Sequence, residues 1–332
     1  MDHSRKEKPG HTISRRDFIC RLGAVVGGTM LFSCVPASKV AIHAADQTGA
    51  SIFGSVAAVD AHTHITQPWG SDAALTAGDL VRHMDEYGIA ESVVLPLVNP
   101  ESWDYPVTTA YVLRETKPYR DRLIPFCSLD PRTRIDGEEL RAQLEKYIGY
   151  GARGFGEHKV GIPVNHPRNL QLFGICGELD LPVLFHLDTI RNTDQPGLPG
   201  LEDVLRQLPE TNFIGHAQGF WANISGELTP EDMQSYPDSK VLPGGALDRL
   251  MDTYPNLYGD MSAGSGANAI LRDLDFGEQF ILRRADRLVF GTDKLRPDQQ
   301  LRQFELFQSI NLSHEVKEKI FRTNIKSLII GV

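Results

Sequence analysis

The sequence predicts a (β/α)₈ barrel, or TIM barrel, and three observations support this fold class. Short apolar runs alternate with stretches of helical periodicity over most of the chain. Such runs are expected of parallel strands that are buried on both faces. Eight of them can be identified, and eight parallel strands close this barrel. A Gly-rich phosphate-binding turn after an early strand, which would favour an open doubly wound sheet, is not found in the sequence.

Each predicted strand is a short apolar run. In chain order the runs are residues 56–61, 92–98, 123–129, 152–156, 182–186, 212–216, 256–261 and 287–291. Helical spacing begins at Leu80 and is stopped by Gly88. Similar spacing is found over residues 140–148, 170–179 and 247–251, and two more helices are predicted within residues 298–330, separated near residues 311–313.

One connection, residues 217–243, is unusually long for a compact domain. It carries aromatic residues and prolines without a clear period. Long loops of this kind are usually functional or disordered. Because this loop follows the sixth predicted strand, it would overhang the end of the barrel where sites form. We expect a lid or a substrate wall here, with an inert insertion as the alternative.

The composition is that of a soluble globular protein. The chain has 332 residues, of which 41% are hydrophobic and 23% are charged. A formal net charge of −9 gives no support to a nucleic acid or an anionic membrane as a partner. We assign residues 55–332 to a single barrel domain and expect a small-molecule substrate, while the oligomeric state stays open.

The first 34 residues have the organisation of a secretory signal. Ser14-Arg15-Arg16-Asp17-Phe18 is a twin-arginine pattern, and the apolar stretch 22–32 after it is too short to span a bilayer. Twin-arginine signals direct folded proteins out of the bacterial cytoplasm. Residues 31–34 also resemble a lipobox. We therefore expect either a periplasmic protein cleaved near Ala44 or a lipoprotein anchored to the membrane through Cys34, with residues 35–54 as a linker. A disordered basic tail is the alternative.

The strongest chemical signal is the run Asp60-Ala61-His62-Thr63-His64 at the end of the first predicted strand. Residues two apart in a strand point to the same side. His62 and His64 are therefore expected to project together into the mouth of the barrel, where two imidazoles can share one cation. A His-x-His motif is weak by itself, but its position directly after an apolar run strengthens it.

Four more polar residues lie at the carboxyl ends of predicted strands: Glu157, His186, His216 and Asp293. Barrel enzymes build their sites at this end, where side chains from different strands converge. Buried together without partners, these groups would be costly, and a divalent cation removes that cost. Histidine and carboxylate ligands suit Zn²⁺ in hydrolytic sites, with Mn²⁺ or Fe²⁺ as alternatives.

Together these motifs resemble the amidohydrolase superfamily, and in particular the amidohydrolase-related branch that includes aminocarboxymuconate-semialdehyde decarboxylase. The resemblance covers about residues 56–332 and rests on residues 60–64, His186, His216, residues 290–293 and residues 324–328.

The resemblance implies roles for these positions. First-strand His62 and His64, together with His186 and Asp293, would bind the metal. His216 would be a ligand of a second metal in a binuclear enzyme or an acid–base group in a mononuclear one.

The fourth strand departs from one common pattern of the family. Many binuclear members carry a carboxylated lysine there, which bridges two metals. Here Glu157 ends the strand and could replace that carboxylate, whereas Lys159 lies too far past the strand. The alternative is a single metal, with Glu157 contacting either the ligands of that metal or the substrate. The number of metals is left open.

These parts predict hydrolysis of a small-molecule amide, ester or lactone by a metal-activated water. Asp293 would accept the proton of the water and deliver it to the leaving group, and His216 would stabilise the oxyanion or relay a proton. A metal-dependent decarboxylase of the same branch is the alternative. A TatD-type phosphodiesterase is disfavoured, since removal of the net +3 signal leaves a charge of −12. The presence of Asp293 argues against a catalytically inactive binding protein.

Five residues are candidates for substrate contact. His158 and Lys159 directly follow Glu157 at the strand end. Two aromatic residues soon after the sixth strand, Phe220 and Trp221, could form an apolar wall or pack in the core. The fifth, Arg272, could hold a substrate carboxylate or form a surface ion pair.

Overall fold

A computed structural model describes residues 50–67, 73–102, 106–133 and 136–329. The predicted signal, residues 1–34, lies outside the described residues. The eight predicted strands are all present as parallel strands: β1 Ala58–Thr63, β2 Ile89–Val94, β3 Leu123–Pro125, β4 Phe155–His158, β5 Val183–His186, β6 Phe213–His216, β7 Leu257–Asp260 and β8 Leu288–Val289.

The helices of the described residues are α1 Ala50–Phe53, α2 Ala77–Tyr87, α3 Thr109–Glu115, α4 Gly137–Gly149, α5 Pro167–Glu178, α6 Pro199–Gln207, α7 Gln218–Ala222, α8 Ala246–Thr253, α9 Ala263–Leu271, α10 Leu274–Arg284, α11 Arg302–Ser309, α12 His314–Glu318 and α13 Asn324–Leu328. Helix α2 begins with a capping box between Thr76 and Asp79 and ends at Gly88 in the left-handed conformation. The two helices predicted near the carboxyl terminus are confirmed as α11 and the α12–α13 pair. None of the described helices is long and apolar enough to cross a membrane.

The strands form two ladders that join into a barrel. One ladder runs β1-β2-β3 and the other runs β4-β5-β6-β7-β8. Parallel bridges join them, Cys127 with Phe155 on one side and Thr63 with Lys294 on the other. The predicted TIM-barrel fold is confirmed.

Two apolar cores lie on the two sides of this sheet. The larger core packs strands against the surrounding helices. The smaller core fills the barrel interior with buried residues that the strands supply, among them Val59, Val93, Leu184, Ile214 and Val289. Filled by side chains, the barrel is a packed core rather than a pore. Functional groups are therefore confined to its ends.

The packed core extends into the last residues of the range predicted as a linker. Helix α1 buries Phe53, whose ring makes edge-on contacts with Phe290, Phe304 and Phe321 at centroid distances of 5.0–6.4 Å. Edge-to-face aromatic pairs at these distances are stabilising.

Candidate functional site

His62 and His64 meet at the carboxyl end of β1. The Nδ1 of His62 lies 2.6 Å from Asp260 Oδ2, and the Nδ1 of His64 lies 2.9 Å from the Leu95 carbonyl oxygen. Because both partners accept, each Nδ1 is a donor, and each Nε2 of a neutral ring is left with its lone pair. The two Nε2 atoms are 3.1 Å apart. Two lone pairs that face each other at this distance are suited to sharing a cation.

Two carboxylates complete this group of atoms. Asp293 Oδ1 lies 3.4 Å from His62 Nε2 and 3.3 Å from His64 Nε2. Glu157 Oε2 lies 3.6 Å and 3.5 Å from the same two nitrogens. Burial would lower the pKa of His62, but the Asp293 and Asp260 carboxylates outweigh it and raise this pKa well above its ordinary value. The carboxylates therefore favour a positive charge at this position.

His216 enters the same group from β6. Its Nε2 lies 3.9 Å from Glu157 Oε1 and 3.9 Å from Asp293 Oδ2. Its Nδ1 lies 2.9 Å from the Ser262 hydroxyl and 3.1 Å from Asp260 Oδ2. Burial, reinforced by the nearby His62 ring, lowers the pKa of His216, so its Nε2 is available as a base or a ligand at neutral pH.

Asp260, at the end of β7, was missed by the sequence analysis. One oxygen, Oδ2, contacts the Nδ1 atoms of both His62 and His216 and also accepts from the Ser262 hydroxyl. Asp260 is fully buried. Burial would raise its pKa, but the His62 and His216 rings hold it well below the ordinary range. A carboxylate in this position fixes the tautomer and orientation of both rings. The sequence does contain a signal for Asp260, because this residue ends an apolar strand in the same way as the predicted ligands do.

Asp293 is positioned by its neighbours along β1 and β8. Its backbone has φ 57°, in the left-handed region that Asp tolerates better than most residues. Its N–H donates to the His62 carbonyl at 2.7 Å, and its own carbonyl accepts from Gln299 at 2.7 Å. The preceding Thr292 donates its hydroxyl to Asp60 at 2.6 Å. Asp60, the first residue of the run 60–64, therefore has a structural role.

His186 lies between two carboxylates beside the metal-binding group. Its Nδ1 lies 2.9 Å from Glu157 Oε1 and its Nε2 lies 2.9 Å from Asp188 Oδ2. Both ring nitrogens thus have carboxylate partners. Two groups of described residues have donor atoms within 4.8 Å of one another, His62 with His64 and Asp293, and His62 with Glu157 and His216. His186 is in neither group, and its role as a metal ligand stays a prediction.

Lys159 comes closer to the site than the sequence analysis expected. Its Nζ lies 2.8 Å from Glu157 Oε2, so the buried carboxylate is paired with the ammonium group. The ammonium group, with the histidines, holds the pKa of Glu157 well below its ordinary value despite burial. The side chains of Asp293, Lys159 and His186 are 21%, 16% and 11% exposed, whereas those of His62, His64 and Glu157 are fully buried. Solvent therefore reaches the group from the side of Asp293, Lys159 and His186.

The long segment 217–243 is buried in the core at its start and partly exposed further along. It begins with α7, where Phe220 and Trp221 are buried. Further on, Tyr236 has its phenol pKa raised by burial and by the Asp293 carboxylate. The Tyr236 ring lies beside Gly264 of α9, and the residue is 52% exposed.

Three predicted substrate contacts are instead packing residues. His158 is fully buried, with its Nε2 3.0 Å from Asn169 on α5 and its ring against Phe155 and Phe173. Phe220 packs on Phe185, and Trp221 packs on Phe280 while its Nε1 donates to the Asp260 carbonyl at 2.7 Å. These contacts support the packing alternative for Phe220 and Trp221, and among the described residues they join His158 to α5 rather than to the metal-binding group.

Arg272 is also not brought into the metal-binding group. It follows α9, and the charged groups near it are Asp232 and Asp273. Its Nε and Nη2 are buried without hydrogen-bond partners among the described residues. Burial lowers its pKa. No contact in the described structure supports a role as a clamp for substrate.

The donor set fits a divalent cation. Imidazole nitrogens and carboxylate oxygens are the ligands that Zn²⁺, Mn²⁺ and Fe²⁺ accept in protein sites. Outer partners that orient ligating rings, here Asp260 and the Leu95 carbonyl, are typical of metal sites. Glu157 Oε2, 3.6 Å and 3.5 Å from the Nε2 atoms of His62 and His64, is a further oxygen that a cation between them could bind.

Comparisons with known proteins agree with this geometry. A family model described as Amidohydrolase matches residues 59–328. An uncharacterized TIM-barrel protein from Bordetella bronchiseptica is 17% identical, covers 82% of this chain and 97% of its own, and superposes with a TM-score of 0.59. A probable 2-pyrone-4,6-dicarboxylic acid hydrolase from Acinetobacter baumannii, with citric acid bound, has 16% identity, coverage of 82% and 99%, and a TM-score of 0.55.

A decarboxylase shares the same fold. The 5-carboxyvanillate decarboxylase from Novosphingobium aromaticivorans, complexed with manganese and 4-hydroxy-3-methoxy-5-nitrobenzoic acid, has 14% identity, coverage of 85% and 98%, and a TM-score of 0.52. A comparison with curated proteins gives no significant match. The chain belongs to the amidohydrolase family and is a metal-dependent enzyme of the amidohydrolase superfamily, as its strand-end motifs predicted.

Proposed function

We propose that this enzyme hydrolyses a small-molecule amide, ester or lactone. One observation carries the proposal: the Nε2 atoms of His62 and His64 and Oδ1 of Asp293 lie 3.1–3.4 Å from one another at the barrel mouth. We further propose that these three residues hold a divalent cation, with Zn²⁺ as the first choice, and that Glu157 and His216 offer the next donors. When bound, such a cation supplies Lewis acidity, which lowers the pKa of water and polarises a carbonyl group.

The residues of the chain would then handle the proton. Asp293 directs Oδ1 at the two histidines and has its other oxygen near His216 Nε2. Since its side chain is also the most exposed of the group, Asp293 can accept a proton from a water molecule at the mouth and return it to the leaving group. His216, oriented by Asp260 and Ser262, would stabilise the developing oxyanion. Lys159, which is paired with Glu157 and partly exposed, would contact the substrate.

A decarboxylase is the second candidate. The fold match to a manganese-containing decarboxylase favours it, since the same residues could deliver a proton to a substrate carbon that loses CO₂. Hydrolysis and decarboxylation differ in their products, so one screen separates them. Protein supplied with Zn²⁺ or Mn²⁺ is offered lactones, amides, esters and aromatic carboxylates, with acid release and CO₂ measured in parallel.

Asp293→Asn tests the proton role. An amide accepts no proton at neutral pH, and general-base contributions are typically about 10²–10⁴-fold, so we expect kcat to fall at least about a hundredfold with metal still bound. Asp298→Asn, an exposed carboxylate five residues further on, is the matched control. A metal-loaded Asp293→Asn enzyme that runs within a few-fold of wild type would remove Asp293 from catalysis and leave His216 as the base.

We also propose that the enzyme is exported by the twin-arginine route, with Cys34 as a candidate lipid anchor. The support is the arginine pair followed by an apolar stretch in residues 14–32. A reporter fused to residues 1–50 should leave the cytoplasm, and Arg15→Lys with Arg16→Lys should block it. Unchanged export of that variant would show that the signal is misread. Labelled fatty acid on Cys34, lost in Cys34→Ala, would establish the anchor.

A further inference from the structure

A separate cavity lies on the outer surface of the barrel, between helices α3 and α4. Its volume is about 830 Å³, within the roughly 300–1,000 Å³ that is usual for ligand sites. Leu113 and Ala110 of α3 form one wall, and Tyr147 of α4 with Tyr150 forms the other. We call it the α3–α4 cavity.

The cavity is at the opposite end of the barrel from the metal-binding group. Lys117 and Arg120, on its rim, come just before β3, and Tyr150 comes just before β4. These positions mark the amino ends of the strands, whereas His62 and Asp293 lie at the carboxyl ends. A ligand in the α3–α4 cavity would therefore not be a ligand of the catalytic site.

The charge of the cavity is unlike that of the chain. Four cationic side chains line it, Arg114, Lys117, Arg120 and Lys146, and no carboxylate is among its lining residues. The chain as a whole has a formal charge of −9. Arg114 pairs with Glu115 at 2.7 Å, and Arg120 donates to the Tyr150 carbonyl. Lys117 and Lys146 have no ion pair among the described residues.

Apolar surface accompanies these charges. Leu113 is buried beneath the cavity, and Tyr150, which is 56% exposed, adds an aromatic ring to its wall. An apolar wall rimmed by unpaired cations matches a molecule that has an apolar body and an anionic head.

We propose that the α3–α4 cavity binds a small amphipathic anion, with its apolar body against Leu113, Tyr147 and Tyr150 and its carboxylate or phosphate head between Lys117 and Lys146. The proposal does not depend on the reaction at the metal-binding group. It predicts saturable binding of one molecule per chain, weakened by salt because exposed charges are screened.

The test is a calorimetric titration of the full chain with decanoate, which has both an apolar body and a carboxylate. Lys117→Gln with Lys146→Gln should weaken decanoate binding about tenfold, since each exposed ion pair is worth roughly a threefold change in affinity. Arg206→Gln with Lys317→Gln removes the same charge elsewhere on the surface and should change binding by less than about twofold. Tyr150→Ala should also weaken decanoate while leaving the cationic residues in place.

Three outcomes would overturn the proposal. The first is no decanoate binding, or binding that is unchanged by Lys117→Gln with Lys146→Gln, which would place the probe at another site such as the metal-binding group. The second is inorganic phosphate binding as tightly as decanoate, which would reduce the cavity to an anion patch. The third is cosedimentation with phosphatidylglycerol vesicles without binding of monomeric decanoate, which would make this face a membrane contact instead.

Discussion

Replacing Asp260 by Asn tests the positioning of the metal-binding histidines without touching a proposed ligand. Asp260 Oδ2 contacts His62 Nδ1 at 2.6 Å and His216 Nδ1 at 3.1 Å, and Oδ1 accepts the Ser262 backbone N–H at 2.9 Å. The amide of Asn puts an NH₂ group at one of these two positions. If the NH₂ group of Asn faces the histidines, it meets the two Nδ1 donors. If it faces Ser262, it meets the backbone N–H donor. In either orientation at least one attraction becomes a repulsion between donors.

The expected loss follows from the role of Asp260 behind the ligands. Removal of such a partner typically weakens metal binding about 10–100-fold, which corresponds to about 1.4–2.8 kcal/mol. The assay is a competition for Zn²⁺ between protein and a chelator of known affinity, with unfolding followed in parallel. Asp194→Asn is the control, because Asp194 also accepts backbone N–H groups, from Gln195 and Leu201 at 2.8 Å, but lies outside the site. If Asp260→Asn bound Zn²⁺ within about threefold of wild type while Asp194→Asn behaved identically, the proposed role of Asp260 would be refuted.

Two further predictions concern packing. Gly291→Ala would place a Cβ 2.5 Å from Asp260 Oδ1 and 3.0 Å from His62 Cβ, so Zn²⁺ affinity should fall at least about tenfold. Gly174→Ala, whose Cβ would only touch a side chain at 3.6 Å, is the control, and equal Zn²⁺ affinity in the two variants would contradict the steric argument. Phe53→Ala should lower the free energy of unfolding by about 3–5 kcal/mol in a urea titration, because the lost ring is fully packed. A loss below about 1 kcal/mol would show that α1 does not belong to the core.

Much of the fold followed from the sequence because buried parallel strands leave a simple signal. The same alternation places three functional side chains. His186, His216 and Asp260 each lie two residues after an interior residue, namely Leu184, Ile214 and Tyr258. Asp260 could have been found by this argument, because its strand end carries the same apolar-then-polar signal.

Other features depend on irregularities that alternation does not predict. Val59 and Ala61 fill the interior, so unbroken alternation would turn His62 away from it. The register of β1 shifts between Asp60 and Thr63, and that of β4 shifts between Phe155 and His158. Irregularities of this kind re-aim side chains next to active sites. They bring His62 and Glu157 inward and leave His158 on the helix side.

Closeness to a site residue along the chain does not show that a side chain reaches the site. Phe220 and Trp221 follow His216 closely, but helix α7 turns both rings into the core. The surroundings of His186, a ligand that the resemblance implies, could not be predicted for a different reason. Asp188 lies in a loop whose path the sequence does not reveal, and it takes the His186 Nε2.

The central claim is that His62 and His64 share one cation at the barrel mouth, and its most direct test is the metal content of purified protein. Wild type and His62→Ala with His64→Ala are loaded with Zn²⁺ or Mn²⁺, passed through a desalting column and analysed by mass spectrometry of the elements. We expect at least one tightly held divalent ion per wild-type chain and none in the double variant, with both proteins folded by circular dichroism. Stoichiometric metal retained by the folded double variant would contradict the claim.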